Sequence, residues 1–252
     1  MKRFLSFIGW LVAAPAVLAS GVELEARLWA PDLSGVAQVG NGGGSTAIDL
    51  GTDLGLDADE VPGGRLIWRP TRRTSVRLAY SSFEFAGDAQ LQRPVSFAGS
   101  TFQLDARVAS VLNLEYGGVG LAWQFLSTGD GRVRFGPLVE ATGLRGDAGI
   151  STNLLGLLPL SATQEFEVAF AAAGAVLDVE PTPKLHVYAE WKTTVDSEDG
   201  ELTDTEAGVR FYPLDMLALT IGYRRLEIDA ADGDELFDLE LDGPFFGGVL
   251  RF

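Results

Sequence analysis

The sequence predicts an all-β chain, a transmembrane antiparallel up-and-down β-barrel of about ten strands, with eight and twelve the neighbouring even counts. Three observations predict it. Apolar and polar residues alternate with period two through most of the chain, as they do when successive side chains point to opposite faces of a strand. Tight turns alternate with longer connections rich in Gly, Asp and Ser, so that short turns gather at one end of a barrel and long loops at the other. The final stretch, GPFFGGVLRF, keeps an apolar face through Phe246, Gly248, Leu250 and Phe252, where a soluble chain would fray into polar residues.

The chain opens with Lys2 and Arg3, an apolar run from Phe4 to Leu18, and small residues at Val17 and Ala19. Residues 1–19 therefore read as a cleavable signal peptide. The run holds Pro15 and is shorter than the about 20 apolar residues of a spanning helix. The domain proper is 20–252. It contains no Cys, which excludes a disulfide framework and a lipid-modified N-terminus. Removing Lys2 and Arg3 takes the net charge from −16 to −18, and a chain so acidic excludes nucleic acid as a partner. At 46% hydrophobic residues it is no disordered acidic tail.

Turn residues divide the domain into strands over 22–31, 64–70, 74–98, 101–126, 132–144, 164–180, 184–195, 200–212, 216–229 and 235–252. The first sets Val22, Leu24, Ala26 and Leu28 against Glu23, Glu25 and Arg27. The third and fourth form one long hairpin turning near Gly99 and Ser100. In the fourth, Phe102, Leu104, Ala106, Val108, Leu112, Leu114 and Tyr116 make the apolar, lipid-facing set, against Asp105, Arg107, Asn113 and Glu115. The sixth carries VAFAAAGAVL (Val168 to Leu177), too short for a spanning helix. The seventh sets Leu185, Val187, Ala189 and Trp191 against His186, Tyr188, Glu190 and Lys192, and the ninth sets Leu217, Leu219, Ile221 and Tyr223 against Thr220 and Arg224. The long connections are Pro31 to Gly64, Leu144 to Thr163 and Asp229 to Glu235. Trp68, Tyr80, Trp123, Trp191, Phe211 and Tyr223 fall near strand ends, where aromatic girdles form.

The polar faces bring fifteen charged residues towards one lumen: Glu23, Glu25, Arg27, Arg65, Arg69, Arg77, Asp105, Arg107, Glu115, Arg134, Glu140, Glu190, Lys192, Arg210 and Arg224. A barrel this narrow is filled by its side chains, and charges buried there must be paired. A salt-bridged plug is the plainer assignment; a thin water path lined by charge is the alternative. His186 is the only histidine and follows the Pro-Thr-Pro-Lys turn closely, which places it at the short-turn rim. No G-x-S-x-G elbow is present, and no catalytic residue is assigned. The acidic stretches AIDLGTDLGLDADE and DAADGDE lack EF-hand spacing, so solvated loops are expected rather than a metal site, and no cofactor is expected. The run Asn153 to Leu160 is apolar for a loop and suits a cap over the mouth.

The leader, the alternation and the terminal Phe252 together resemble the bacterial outer-membrane β-barrel proteins. The resemblance is specific for the class and silent about the subfamily. It implies residence in the outer membrane of a Gram-negative bacterium, contact with lipid and lipopolysaccharide, and recognition of the last strand by the barrel assembly machinery. Three functions stay open. The first is a structural, adhesive or weakly pore-forming barrel. The second is an outer-membrane lipid-modifying hydrolase or acyltransferase. The third is a secreted soluble β-sandwich that binds a partner, since sandwich strands alternate too.

Overall fold

The computed structural model describes residues 21–38, 46–58, 60–129, 131–154, 158–195, 200–232 and 235–252. The leader at 1–19 lies outside them. In chain order the strands are β1 (Val22–Trp29), β2 (Asp32–Gln38), β3 (Ile48–Asp49), β4 (Asp57–Ala58), β5 (Val61–Trp68), β6 (Thr74–Gln90), β7 (Val95–Phe97), β8 (Ser100–Phe102), β9 (Arg107–Trp123), β10 (Leu126–Ser127), β11 (Val133–Leu154), β12 (Leu158–Thr182), β13 (Leu185–Thr194), β14 (Glu201–Leu214), β15 (Leu217–Asp232) and β16 (Glu235–Arg251).

Ten of them close a ring in the order β1-β5-β6-β9-β11-β12-β13-β14-β15-β16 and back to β1, every neighbouring pair antiparallel. Closure leaves no edge inside the hydrocarbon, where an unpaired backbone group has no water to bond. The seam is held to the end of the chain: Gly21 N–H donates to the Phe252 carbonyl and Phe252 N–H to that of Val22, both at 2.9 Å. A closed barrel excludes the sandwich alternative.

Around the lower part of the barrel, the outer face is apolar. On β9, Val119, Leu121 and Trp123 point out, with Phe125 just beyond. Gly117 to Phe125 matches the about 9–11 residues a tilted strand needs to cross a bilayer. Trp68, Trp123, Phe125, Phe135, Phe211 and Phe252 ring the lower margin of this belt, and Tyr80, Trp191 and Tyr223 its upper margin. The upper tyrosines point their hydroxyls at acids, Tyr80 to Glu115 at 3.2 Å and Tyr223 to Asp242.

Above that margin both faces invert. On β6 the inward residues are Ser75, Arg77, Ala79 and Ser81 below, then Phe83 and Phe85 above. The outward ones are Val76, Leu78 and Tyr80 below, then Ser82, Glu84 and Asp88 above. The cause is the change of solvent. In the belt, hydrocarbon takes the apolar side chains; above it, water surrounds the barrel and the apolar side chains turn inward to make a core.

This accounts for the departures from the predicted strands. In the connections at 144–163 and 229–235 the described residues run as strands, because residues such as Leu144, Ile150, Leu226 and Ile228 keep their inward alternation past the membrane. The first strand, interrupted at Ala30 and Pro31, resumes along β16 as β2. The predicted long hairpin shortens to β6 and β9. Its tip is a separate ribbon, β7–β8, turning at Ala98 and Gly99, both with positive φ.

Candidate functional site: a charged lumen beneath a capped mouth

Within the belt the lumen is filled by three adjoining groups of ion pairs. Arg27 bonds Glu206 at 2.6 Å; Arg65 bonds Glu206 at 2.9 Å and Glu190 at 3.3 Å; Arg77 meets Glu190 at 2.6 Å. Arg224 grips both oxygens of Asp204 at 2.9 Å, and Lys192 joins Asp204 (3.3 Å) to Glu140. Arg210 ties Glu25 (2.7 Å) to Glu23 (3.4 Å), which also receives Arg69 at 2.8 Å and Arg251 at 3.0 Å. Tyrosines complete the carboxylate shells: Tyr188 donates to Glu206 at 2.9 Å and Tyr116 to Asp204 at 3.1 Å. Guanidiniums stack on rings, Arg210 over Tyr188 at 4.5 Å and Arg224 over Trp29 at 4.8 Å. Each pairing offsets a desolvation penalty of several kcal/mol per ion.

Two glycines make the space. A Cβ at Gly118 would press on the Glu140 carboxylate, and one at Gly208 would lie within 3 Å of the Tyr188 ring. The residual cavity bounded by Arg27, Arg77, Glu190 and Arg224 is about 20 Å³, room for about one water.

Of the fifteen residues the sequence assigns to the lumen, eleven lie in this network. Arg134 sits at its lower rim on Glu180, 2.7 Å away. Asp105, Arg107 and Glu115 are a correction. All three are exposed on the outside, above the belt. Arg107 pairs there with Asp88 at 2.6 Å, and Glu115 accepts from Tyr80. The reason is the inversion: Val108, Leu112, Leu114 and Tyr116, expected to face lipid, stand above the membrane and fill the core, so their odd-numbered neighbours face water. Asp178, Asp204 and Glu206 went unassigned. The last two share the even parity of Arg210, seen in Asp204, Glu206, Gly208 and Arg210, and were legible from it.

His186 lies inside the lower end, its Nε2 2.8 Å from Asp178 and its ring against Tyr188. Asp178 also accepts from Gln124.

A second layer closes the top. The acidic stretch expected to be a solvated loop folds into the mouth. Its Ile48, Leu50, Leu54 and Leu56 are buried in one cluster with Trp29, Phe83, Phe85, Leu114, Leu226 and Leu239. Leu91, Val95, Phe97 and Phe102 bring the β7–β8 ribbon into that cluster. The acids between these leucines stay at the surface. Asp49 accepts from Thr52 N–H at 2.6 Å, and Arg93 holds Asp53 at 2.6 Å while also bonding the Ala47 carbonyl. Partial burial acts to raise the Asp53 carboxyl, but the Arg93 bond and charge and the Asp49 N–H outweigh it and leave its pKa below the usual value. The side chains of 153–159, expected to cap the mouth, lie outside the described residues.

No protein-family model matches this sequence, and no curated protein matches it. Solved structures do. The outer membrane protease OmpT from Escherichia coli aligns over 92% of this chain and 97% of its own, at 10% identity and a TM-score of 0.56. Neisserial surface protein A aligns over 92% and 98%, at 12% identity and a TM-score of 0.36. The attachment invasion locus protein Ail of Yersinia pestis aligns over 92% and 99%, at 8% identity and a TM-score of 0.35. At such identities the likeness concerns the fold, and the fold of this chain is that of the bacterial outer-membrane β-barrel proteins.

Proposed function

We propose that the protein is an integral outer-membrane barrel that does not conduct and works through the surface it presents above the membrane, in a structural or adhesive role. One observation carries the reading: two plugs of opposite chemistry stand in series, the ion-paired lumen and the apolar mouth. A channel would need an aqueous path through both. In this reading residues 1–19 direct export, the strand ending at Phe252 engages the assembly machinery, and the short-turn rim with both chain ends faces the periplasm. The outward acids above the belt, including Glu84, Asp88, Glu165, Glu167 and Asp229, then face the cell exterior beside lipopolysaccharide. A catalytic role for His186 is disfavoured by its burial at the opposite end from this surface.

Planar-bilayer recording of the purified, folded protein tests the reading. The expected trace is silent at all voltages that leave the bilayer intact. Steady ohmic conductance would contradict it and favour the pore.

A further inference from the structure

Above the belt the described strands leave a gap in the wall. β12 is paired to β11 from Leu158 to Val179. Its other neighbour, β13, reaches only Ala172 opposite Thr194, before the chain turns into β14. Beyond that point no strand among the described residues pairs with the free side of β12. Val195 N–H donates to the Ala171 carbonyl at 2.8 Å, so the odd residues of β12 point their backbone groups that way. By the alternation of an antiparallel ladder, Ser161, Thr163, Glu165, Glu167 and Ala169 then present N–H and C=O outward along about 27 Å, at ~3.4 Å per residue. All five are exposed. Apart from a 3.3 Å bond from the Gln164 side chain to the Glu165 carbonyl, no hydrogen bond among the described residues reaches them from that side.

The two faces beside this edge define what fits it. The inner residues Phe166 and Val168 are only partly buried, as is Phe237, whose ring lies 5.3 Å from that of Phe166 across the notch. The outer face is mostly acidic: Arg145 on β11 stands opposite Glu167, but Glu165 has no cation opposite it. Glu165 stands directly opposite Asp147 on β11. On the far rim Glu201, Asp229 and Asp238 stand opposite one another in a single row across β14, β15 and β16. Like charges in register destabilise a sheet unless something neutralises them.

We propose that the free edge of β12 is a strand-addition site that takes an extended polypeptide segment of another protein, with Lys or Arg alternating with apolar residues. The added strand pairs with Ser161 to Ala169, turns its apolar side chains onto Phe166 and Val168, and sets its cations among Glu165, Glu167, Glu201 and Asp229. A second copy of this chain is the poorer occupant, because edge-to-edge pairing would bring Glu165 and Glu167 against their own counterparts. The proposal rests on the proposed function only for the side of the membrane on which the edge faces.

Fluorescence anisotropy on the full chain, folded in detergent, tests it with a labelled peptide of alternating lysine and valine matched in length to the edge. A variant enters the assay only if it runs heat-modifiably on a gel. Saturable one-to-one binding is expected. The same peptide N-methylated on alternate residues keeps its charge but cannot pair, and is expected to lose binding. Thr163→Pro removes an N–H from the free side and none from the β11 ladder, so it is expected to fold and to bind about tenfold more weakly. Glu165→Gln with Glu167→Gln is expected to weaken binding and flatten its salt dependence. Equal binding of the methylated peptide would reduce the site to charge attraction and overturn the proposal. So would absence of binding to the parent chain, or dimerisation through this edge at the same concentrations. Bilayer silence is read separately, so failure here leaves the proposed function standing.

Discussion

The two halves of this barrel are built from the same strands by opposite rules. Below Tyr80 the outside is apolar and the inside is a lattice of Arg, Lys, Glu and Asp; above it the outside carries the acids and the inside is packed with Trp29, Phe83, Phe85 and the leucines of the capping loop. β9 passes from one regime to the other without changing parity: its even residues face in throughout, from Val108 to Ala122. What changes is the solvent on the outside. The difference teaches that alternation reports which residues share a face, while the identity of that face depends on height relative to the membrane.

The halves should therefore fail differently. The largest effect is expected in the lumen. Glu206→Ala leaves Arg27 without its carboxylate, removes one of two from Arg65, and strips Tyr188 of its acceptor, a loss of about 3–5 kcal/mol for a buried pair broken from one side. Urea unfolding in lipid vesicles measures it. A loss of under about 1 kcal/mol would mean that water screens the network, as it does surface pairs, and would erase the contrast between the halves. In the mouth, Ile48→Ala leaves a cavity in an apolar cluster. A loss of roughly 2–3 kcal/mol is expected, towards the low end of such substitutions because a capping loop can settle. The same titration reads it, and limited proteolysis should cut near residue 48 sooner. The smallest effect is expected outside. Arg107→Ala removes a pair exposed to water on both sides and should leave the unfolding midpoint unchanged. A large shift would return Arg107 to the lumen.

Much of this was legible in the sequence. The barrel, its strand count, the lipid-facing Phe246, Leu250 and Phe252, and the strand pairing at the lower half follow from period-two alternation between turns. The inversion was legible only indirectly. Trp123 belongs to the lipid belt, and its odd parity runs unbroken to Glu115 and Arg107, which must then face outward. The apolar set from Val108 to Tyr116 outweighs that single residue, because by itself such a set reads as lipid-facing. The capping loop was hidden for a different reason. Its acids at positions 49, 53 and 57 dominate its charge, and the even parity shared by Ile48, Leu50, Leu54 and Leu56 is interrupted at Thr52 between Gly51 and Gly55, which read as turn chemistry. Alternation alone does not tell a short segment folded into a mouth from a solvated loop.

The central claim is that the barrel exchanges its inner and outer chemistry at the level of Tyr80. The chain has no cysteine, so single substitutions can be read without background. Arg107→Cys, Asn113→Cys and Glu115→Cys on one side of that level, and Val119→Cys and Leu121→Cys on the other, can be placed in vesicles and treated with a membrane-impermeant maleimide. All five positions share the outer face of β9. The account predicts fast labelling of the first three and none of the last two. Protection of 107, 113 and 115 together with labelling of 119 and 121 would contradict it.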